Sequence, residues 1–217
     1  MEIKGSQRLE QMGSAIFAEV AQWKAEAVRQ GRDVIDLGIG SPDQPPSERV
    51  IRALEQAVRN PRNYGYPSSE GTLAFRQSVA AWYRHRFGVV LDPADEITTL
   101  MGSQDGLAHL AMALLDPGDT AIVPDPGYPI YAAGLVMAGV TPCYLQLRAE
   151  NDFLPRFEDI PAETAVAAKL MILNYPSNPL SAVADRAFFL KRLSLLRRQI
   201  AYLLRMIWLI PRWRSTA

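Results

Sequence analysis

Histidine and cysteine are nearly missing from this chain: His85, His109 and Cys143 are all that 217 residues contain. One cysteine excludes an internal disulfide framework and fits a reducing, cytoplasmic setting. So few imidazole and thiol groups leave no His/Cys metal site to expect, and a Ser-His-Asp triad would have only two bases to draw on. Lysine is scarce as well, limited to Lys4, Lys24, Lys169 and Lys191. No apolar run is long enough to span a bilayer, and Met1-Glu2-Ile3-Lys4-Gly5 lacks signal-peptide character. Formal charge is zero, so neither nucleic acid nor membrane is an expected partner.

An apolar fraction of 48% with 21% charged residues is that of a packed globular protein, either one large domain or one with a partial second. The neutral total conceals an asymmetry. Leu190 to Ala217 carries seven basic residues and no acid, which leaves 16 basic against 23 acidic residues before it. Trp208 and Trp213, two of the four tryptophans, also fall in this tail.

Periodicity predicts an amphipathic helix over Leu9–Gln30, with Ile16, Val20 and Trp23 on one stripe. Val34 to Gly38 is a short extended run that leads into a glycine-punctuated loop. Ser47 is placed to cap a helix through Val58. Tyr64–Gly71 is a turn-rich loop, followed by a helix over Thr72–Phe87. Beyond Asp92-Pro93, strands at 97–101, 120–123, 141–147 and 168–173 alternate with helices at 103–115 and 128–138. That alternation predicts an α/β fold, a mostly parallel sheet flanked by helices.

Ligands of such sheets sit beyond the carboxyl ends of the strands. Three loops there carry coherent chemistry. Gly102-Ser103-Gln104-Asp105-Gly106 opens a helix whose N–H groups suit a phosphate, with Ser103 and Gln104 as further donors. Asp105 opposes an anion unless it points away. Asp125-Pro126-Gly127-Tyr128-Pro129 places an aromatic ring that either packs or stacks on a planar ligand. Leu173-Asn174-Tyr175-Pro176-Ser177-Asn178-Pro179 ends the last apolar run; it is a Pro-rich turn, or a stiff backbone aiming Asn178 at a ligand. Together they describe a site for a phosphorylated aromatic ring.

These three loops, with Asp33-Val34-Ile35-Asp36-Leu37-Gly38-Ile39-Gly40-Ser41-Pro42-Asp43 and Tyr66-Pro67-Ser68-Ser69-Glu70-Gly71, resemble the class I/II aminotransferases in order and spacing. The resemblance runs from about Arg8 to Phe189. It is closest to the branch with LL-diaminopimelate, alanine and aspartate aminotransferases, enzymes of pyridoxal 5′-phosphate (PLP) with fold type I. It implies transfer of an amino group between an amino acid and a 2-oxo acid, and a homodimer with sites at the dimer interface. Residue by residue, it implies that Ser103 and Gln104 bind the cofactor phosphate, Tyr128 stacks on the pyridine ring and Asn178 donates to the ring's phenolic oxygen. Tyr66 reaches the phosphate of the partner subunit, and Ile39 and Gly40 line the substrate carboxylate pocket. On this basis residues 1–45 are an N-terminal helix and arm, part of the small domain and interface. Residues 46–189 are a partial large PLP-binding domain, and 190–217 a tail unlike the family.

The family continues Asn-Pro with Thr-Gly, whereas this chain has Leu180-Ser181. More consequential is the Schiff-base lysine of the family, which also shuttles the proton at the substrate's α-carbon. None of the four lysines has its sequence context, nor are the acid that meets the pyridinium nitrogen and the arginine that clamps the substrate carboxylate found. The expectation is a chain inactive alone.

The tail offers a reason. Read one nucleotide earlier, the codons of Met206-Ile207 force an Asp, and those of Trp208-Leu209 allow only Ala or Val. Permitted codons then yield His-Asp-Leu-Ala-Tyr-Ser-Glu-Met-Ala-Phe-Asp-Gly, the motif the family places next. Residues from about Leu190 onward therefore read as a frameshifted translation of an aminotransferase gene. The alternatives are a basic amphipathic helix along Leu193, Leu196, Ile200, Leu203, Leu204 and Ile207 on a non-catalytic PLP-binding or interaction protein, or an unstable gene remnant.

Overall fold

The computed structural model describes residues 4–12, 16–38, 40, 42–189 and, for the backbone, 202–206. The chain divides into two compact units, one made of 1–13 with 101–217 and the other of 14–100.

In the first unit, β1 (Thr120–Asp125), β2 (Thr141–Gln146), β3 (Ala168–Asn174) and β4 (Tyr202–Met206) form one sheet in the order β2-β1-β3-β4. All three pairings are parallel. Thr120 lies opposite Thr141 and Ala168, with an irregularity after Thr120 against β3, and Asn174 lies opposite Met206. The central strands are continuous apolar runs because both faces are covered. Side chains alternate between them. Ala121, Val123, Leu170 and Ile172 pack with Leu107 and Leu135 on one face. Ile122, Met171, Leu173 and Tyr175 pack with Phe188 and Phe189 on the other.

Four helices lie around these strands in sequence: α1 (Gln7–Gln11), α5 (Ser103–Leu114), α6 (Ile130–Met137) and α7 (Ala162–Ala167), with a helical turn over 186–189. The second unit holds α2 (Ile16–Arg29), α3 (Glu48–Val58) and α4 (Leu73–Phe87). Thr72 caps α4 by accepting from the Phe75 N–H, and Gly88 closes it in the left-handed region. The buried Arg76 donates from Nη1 to the carbonyls of Pro93 and Ala94, at 2.5 and 2.9 Å, and so ties α4 to the chain that follows it.

Three expectations are corrected. The single helix over 9–30 is two helices: α1 ends at Gln11, capped by Met12, and the described chain resumes as helix at Ile16. The strand expected over 97–101 is not a strand: its Thr99 N–H donates to Glu70 O at 3.0 Å but no ladder forms, and Ile97 and Thr99 are half-buried while the residues between and after them are exposed. Thr98 and Thr99 supply no second apolar face, so the run lacks the pattern of a buried strand. Within the tail, 202–206 is a parallel strand against β3, which removes Leu203 and Leu204 from a helical stripe. The other expectations for 190–217 lie outside the described residues. No described helix is long and apolar enough to cross a membrane.

Candidate functional site

Parallel strands bring their carboxyl ends to one edge, so the loops after β1 and β3 leave the sheet on the same side. α5 runs back toward the start of β1 through the short turn 115–119, which puts the N-terminus of α5 at that same edge. The three loops singled out from sequence thus converge by topology.

Gly102 precedes α5 with φ 89° and ψ 160°, a conformation that glycine adopts without steric cost. A Cβ built on it would meet no atom within 4 Å, so the approach to the helix end is open. No side chain caps α5, and its first N–H groups have no acceptors within the helix. Ser103 and Gln104 are exposed beside them. Asp105, the one acid of this turn, is turned inward. Its carboxylate accepts from the Met101 N–H at 3.1 Å and sits 2.8 Å from His109 Nδ1. The negative charge is thereby held by its own partners, and the helix end keeps its partial positive character for an anion.

Tyr128 is half-buried in the loop after β1 and meets Tyr131 edge-on, with ring centroids 6.0 Å apart. Its hydroxyl donates to Gln104 Oε1 at 3.2 Å, so the aromatic plate is tied to the anion cradle by one hydrogen bond. Burial raises the Tyr131 phenol to about 12, with the neighbouring Tyr128 a smaller cause. At the sheet edge Gln146 Nε2 donates to Asp125 Oδ2 at 2.6 Å, which braces the end of β1 against β2.

Asn178 is exposed in the loop after β3. That loop folds on itself: the Ser177 N–H donates to Ala182 O and the Ser181 N–H to Ser177 O, each at 2.8 Å. Ser181 stands in the left-handed region at φ 59°, so the turn forms here without the family's glycine. Below it, Tyr175 is buried, donates to Phe153 O at 3.0 Å and has its phenol pushed up by burial.

Ser103, Gln104, Tyr128 and Asn178 therefore share one unit and one sheet edge. Tyr66 and Gly40 belong to the 14–100 unit, where both are exposed; Ile39 lies outside the described residues. Sequence reading passed over two groups near Asn178. The Asn174 amide and the Ser177 hydroxyl are buried, and neither has a hydrogen-bond partner among the described residues. A polar residue ending an otherwise apolar strand was the available signal for Asn174. Among the described residues, no cluster of three or more His, Cys, Asp or Glu could hold a metal.

Lys169 is at the opposite end of β3 from these loops. Its Nζ lies 2.8 Å from Asp119 Oδ2, and five residues of strand, roughly 16 Å, separate it from Asn174. Lys24 belongs to the other unit and pairs with Asp36 at 2.8 Å.

Residues 32–204 match the family described as aminotransferase class I and II, a span that enters the basic tail. The LL-diaminopimelate aminotransferase of Desulforudis audaxviator is 48% identical over 87% of this chain and 48% of its own. That of Moorella thermoacetica is also 48% identical, over 85% of this chain and 47% of its own. Among solved structures, apo-BacF of Bacillus subtilis superposes with a TM-score of 0.86 at 37% identity, covering 94% of this chain and 52% of BacF. A probable N-succinyldiaminopimelate aminotransferase of Thermus thermophilus gives 0.82 at 39%, over 89% and 52%. The chain spans about half the length of the curated relatives it matches.

Proposed function

The chain belongs to the class I and II aminotransferase family, and from that premise we propose that its 101–189 region is the cofactor-binding half-site of an enzyme moving an amino group between an amino acid and a 2-oxo acid. The observation that carries this reading is the Tyr128–Gln104 hydrogen bond, which fixes an aromatic ring beside an open, uncapped helix N-terminus. An anion cradle joined to a flat apolar plate suits a ligand that is both phosphorylated and aromatic.

The family's cofactor, PLP, fits that description, and when bound it supplies an electron sink for charge developing at the amino acid's α-carbon. The donors at the start of α5, with Ser103 and Gln104, would hold its phosphate. Tyr128 would cover one face of the ring and exclude water from it. Asn178, presented by the closed turn after β3, would donate to the phenolic oxygen. Tyr66 is proposed to serve the phosphate of a partner subunit, and the backbone of Ile39 and Gly40 the substrate carboxylate. The relatives' names make LL-diaminopimelate the first amino donor to test.

Turnover needs a lysine at the ring; Lys169 lies at the far end of β3, paired with Asp119, and none of the four lysines has the family's sequence context. We therefore propose that the polypeptide binds without catalysing, and that from about Leu190 it is translated out of frame. Sequencing the DNA on both sides of the Phe189 codon tests this. An offset frame reading on into a lysine motif is the expected result. An uninterrupted frame sinks the frameshift.

Binding is tested with pyridoxine 5′-phosphate, which has the same ring and phosphate but no aldehyde to react with surface lysines. Replacing Gln104 by Glu, which sets a carboxylate against the phosphate, is expected to weaken it at least about tenfold.

A further inference from the structure

The helix that opens the anion cradle carries an acid in its first turn, where an anion is to bind. From Ile97 to Leu115 the only ionisable side chains are Asp105 and His109. Asp105 is the third residue of α5. A carboxylate there is drawn to the same free N–H groups that suit a phosphate. Left to itself, it is an internal competitor for the cradle and a like charge beside any phosphate that enters.

Both of its oxygens are engaged elsewhere. Oδ2 accepts from the Met101 N–H at 3.1 Å, just before the helix begins. That bond also pins the chain as it enters the open turn at Gly102. Oδ1 lies 2.8 Å from His109 Nδ1, and the same nitrogen is 3.0 Å from the Asp105 carbonyl oxygen. Carboxylate and carbonyl only accept, so Nδ1 carries the hydrogen and donates to them.

His109 follows Asp105 by four residues and therefore lies on the same face of the helix. Its side chain is 67% exposed, against 25% for Asp105. The ring fills no core, and a side-chain pair on a solvated helix surface adds little to stability. What the pair sets is the place of the carboxylate, which lies back along the chain toward Met101 and not over the helix end.

We propose that His109 is a positioning residue of the phosphate cradle: its Nδ1–H holds the Asp105 carboxylate against the Met101 N–H and so keeps it off the anion. The inference rests on the cofactor reading and adds to it a residue that does not itself touch the ligand.

A double-mutant cycle on the full chain tests this, with pyridoxine 5′-phosphate titrated by calorimetry. His109→Ala releases Asp105 and is expected to weaken binding at least about threefold. His109→Asn sets an amide donor where Nδ1 stood and is expected to recover most of that loss. Asp105→Asn keeps an acceptor for the Met101 N–H but carries no charge. In that background His109→Ala is expected to change the affinity by less than about 1.5-fold. His109 is mostly exposed, so its variants fold as the parent does, which far-UV circular dichroism checks. A histidine that only supports the fold would cost the same factor in both backgrounds, and that result overturns the proposal. Unchanged affinity in His109→Ala overturns it as well. Failure of the parent chain to bind the probe removes the cofactor reading and this one with it, whereas binding without coupling between 105 and 109 removes this one alone.

Discussion

Ser181 gives the sharpest stability test, because the turn that presents Asn178 depends on it. Its φ of 59° places an L-residue in the left-handed region, which costs about 1–2 kcal/mol. Glycine avoids that cost but raises the entropy of the unfolded chain, worth about 0.5–1 kcal/mol. Ser181→Gly is thus expected to stabilise the native state by about 0.5–1 kcal/mol. The hydrogen bond from the Ser181 N–H to Ser177 O is a backbone contact and survives the change. Ser181→Ala keeps the strained backbone and is expected to stay within about 0.5 kcal/mol of the parent. Urea denaturation reads the global effect, and exchange of the Ser177 and Ser181 amides reads the local one, with protection rising about two- to fivefold in the glycine variant. A glycine variant that is neutral or destabilised, beside an unchanged alanine variant, would show that the left-handed backbone carries no strain.

Three further outcomes follow from the geometry. A Cβ on Gly71, at φ 85°, would lie 1.9 Å from Thr99 Oγ1, whereas one on Gly88, at φ 67°, meets nothing within 4 Å. Gly71→Ala should cost about 3 kcal/mol and Gly88→Ala about 1, read as amide protection of α4; equal costs would refute the clash. The Asp119 carboxyl is held below the usual range, first by the Lys169 ammonium and then by the Asp116 N–H. Its contribution is present above the unfolded value of about 4 and is lost as pH falls through the lower folded value, so Asp119→Asn should flatten the acid limb of stability. Tyr175 runs the opposite way: burial raises its phenol, and stability should fall above about pH 10 as the unfolded tyrosine ionises. Tyr175→Phe should flatten that alkaline limb while costing about 1 kcal/mol at neutral pH by leaving Phe153 O without its donor.

Much of the fold was legible because its signals are local. The α4 helix is bounded by a capping threonine and a left-handed glycine, and its observed limits lie within a residue of those read from sequence. The runs at 120 and 168 are strands because apolar residues fill both faces between turn-forming segments, whereas the edge strand at 141 buries only Leu145. Residues 97–101 failed because a ladder partner is a property of the fold, not of the run. The six residues of α7 were passed over, since one and a half turns are too short to show helical periodicity. For the site, sequence order was enough to nominate Ser103, Gln104, Tyr128 and Asn178, but their relations were not written there. The inward turn of Asp105 toward Met101 and His109 resolves a charge conflict that sequence could only pose. The burial of Asn174 without a partner among the described residues is equally a tertiary fact.

The central claim is that α5, Gln104 and Tyr128 form a site for a phosphorylated aromatic ring. Calorimetric titration of the full chain with pyridoxine 5′-phosphate tests it most directly. The account predicts one saturable site, weakened at least about tenfold by Gln104→Glu and also by Tyr128→Ala, with far-UV circular dichroism unchanged in both. Absence of binding, or binding that ignores both substitutions, would contradict it.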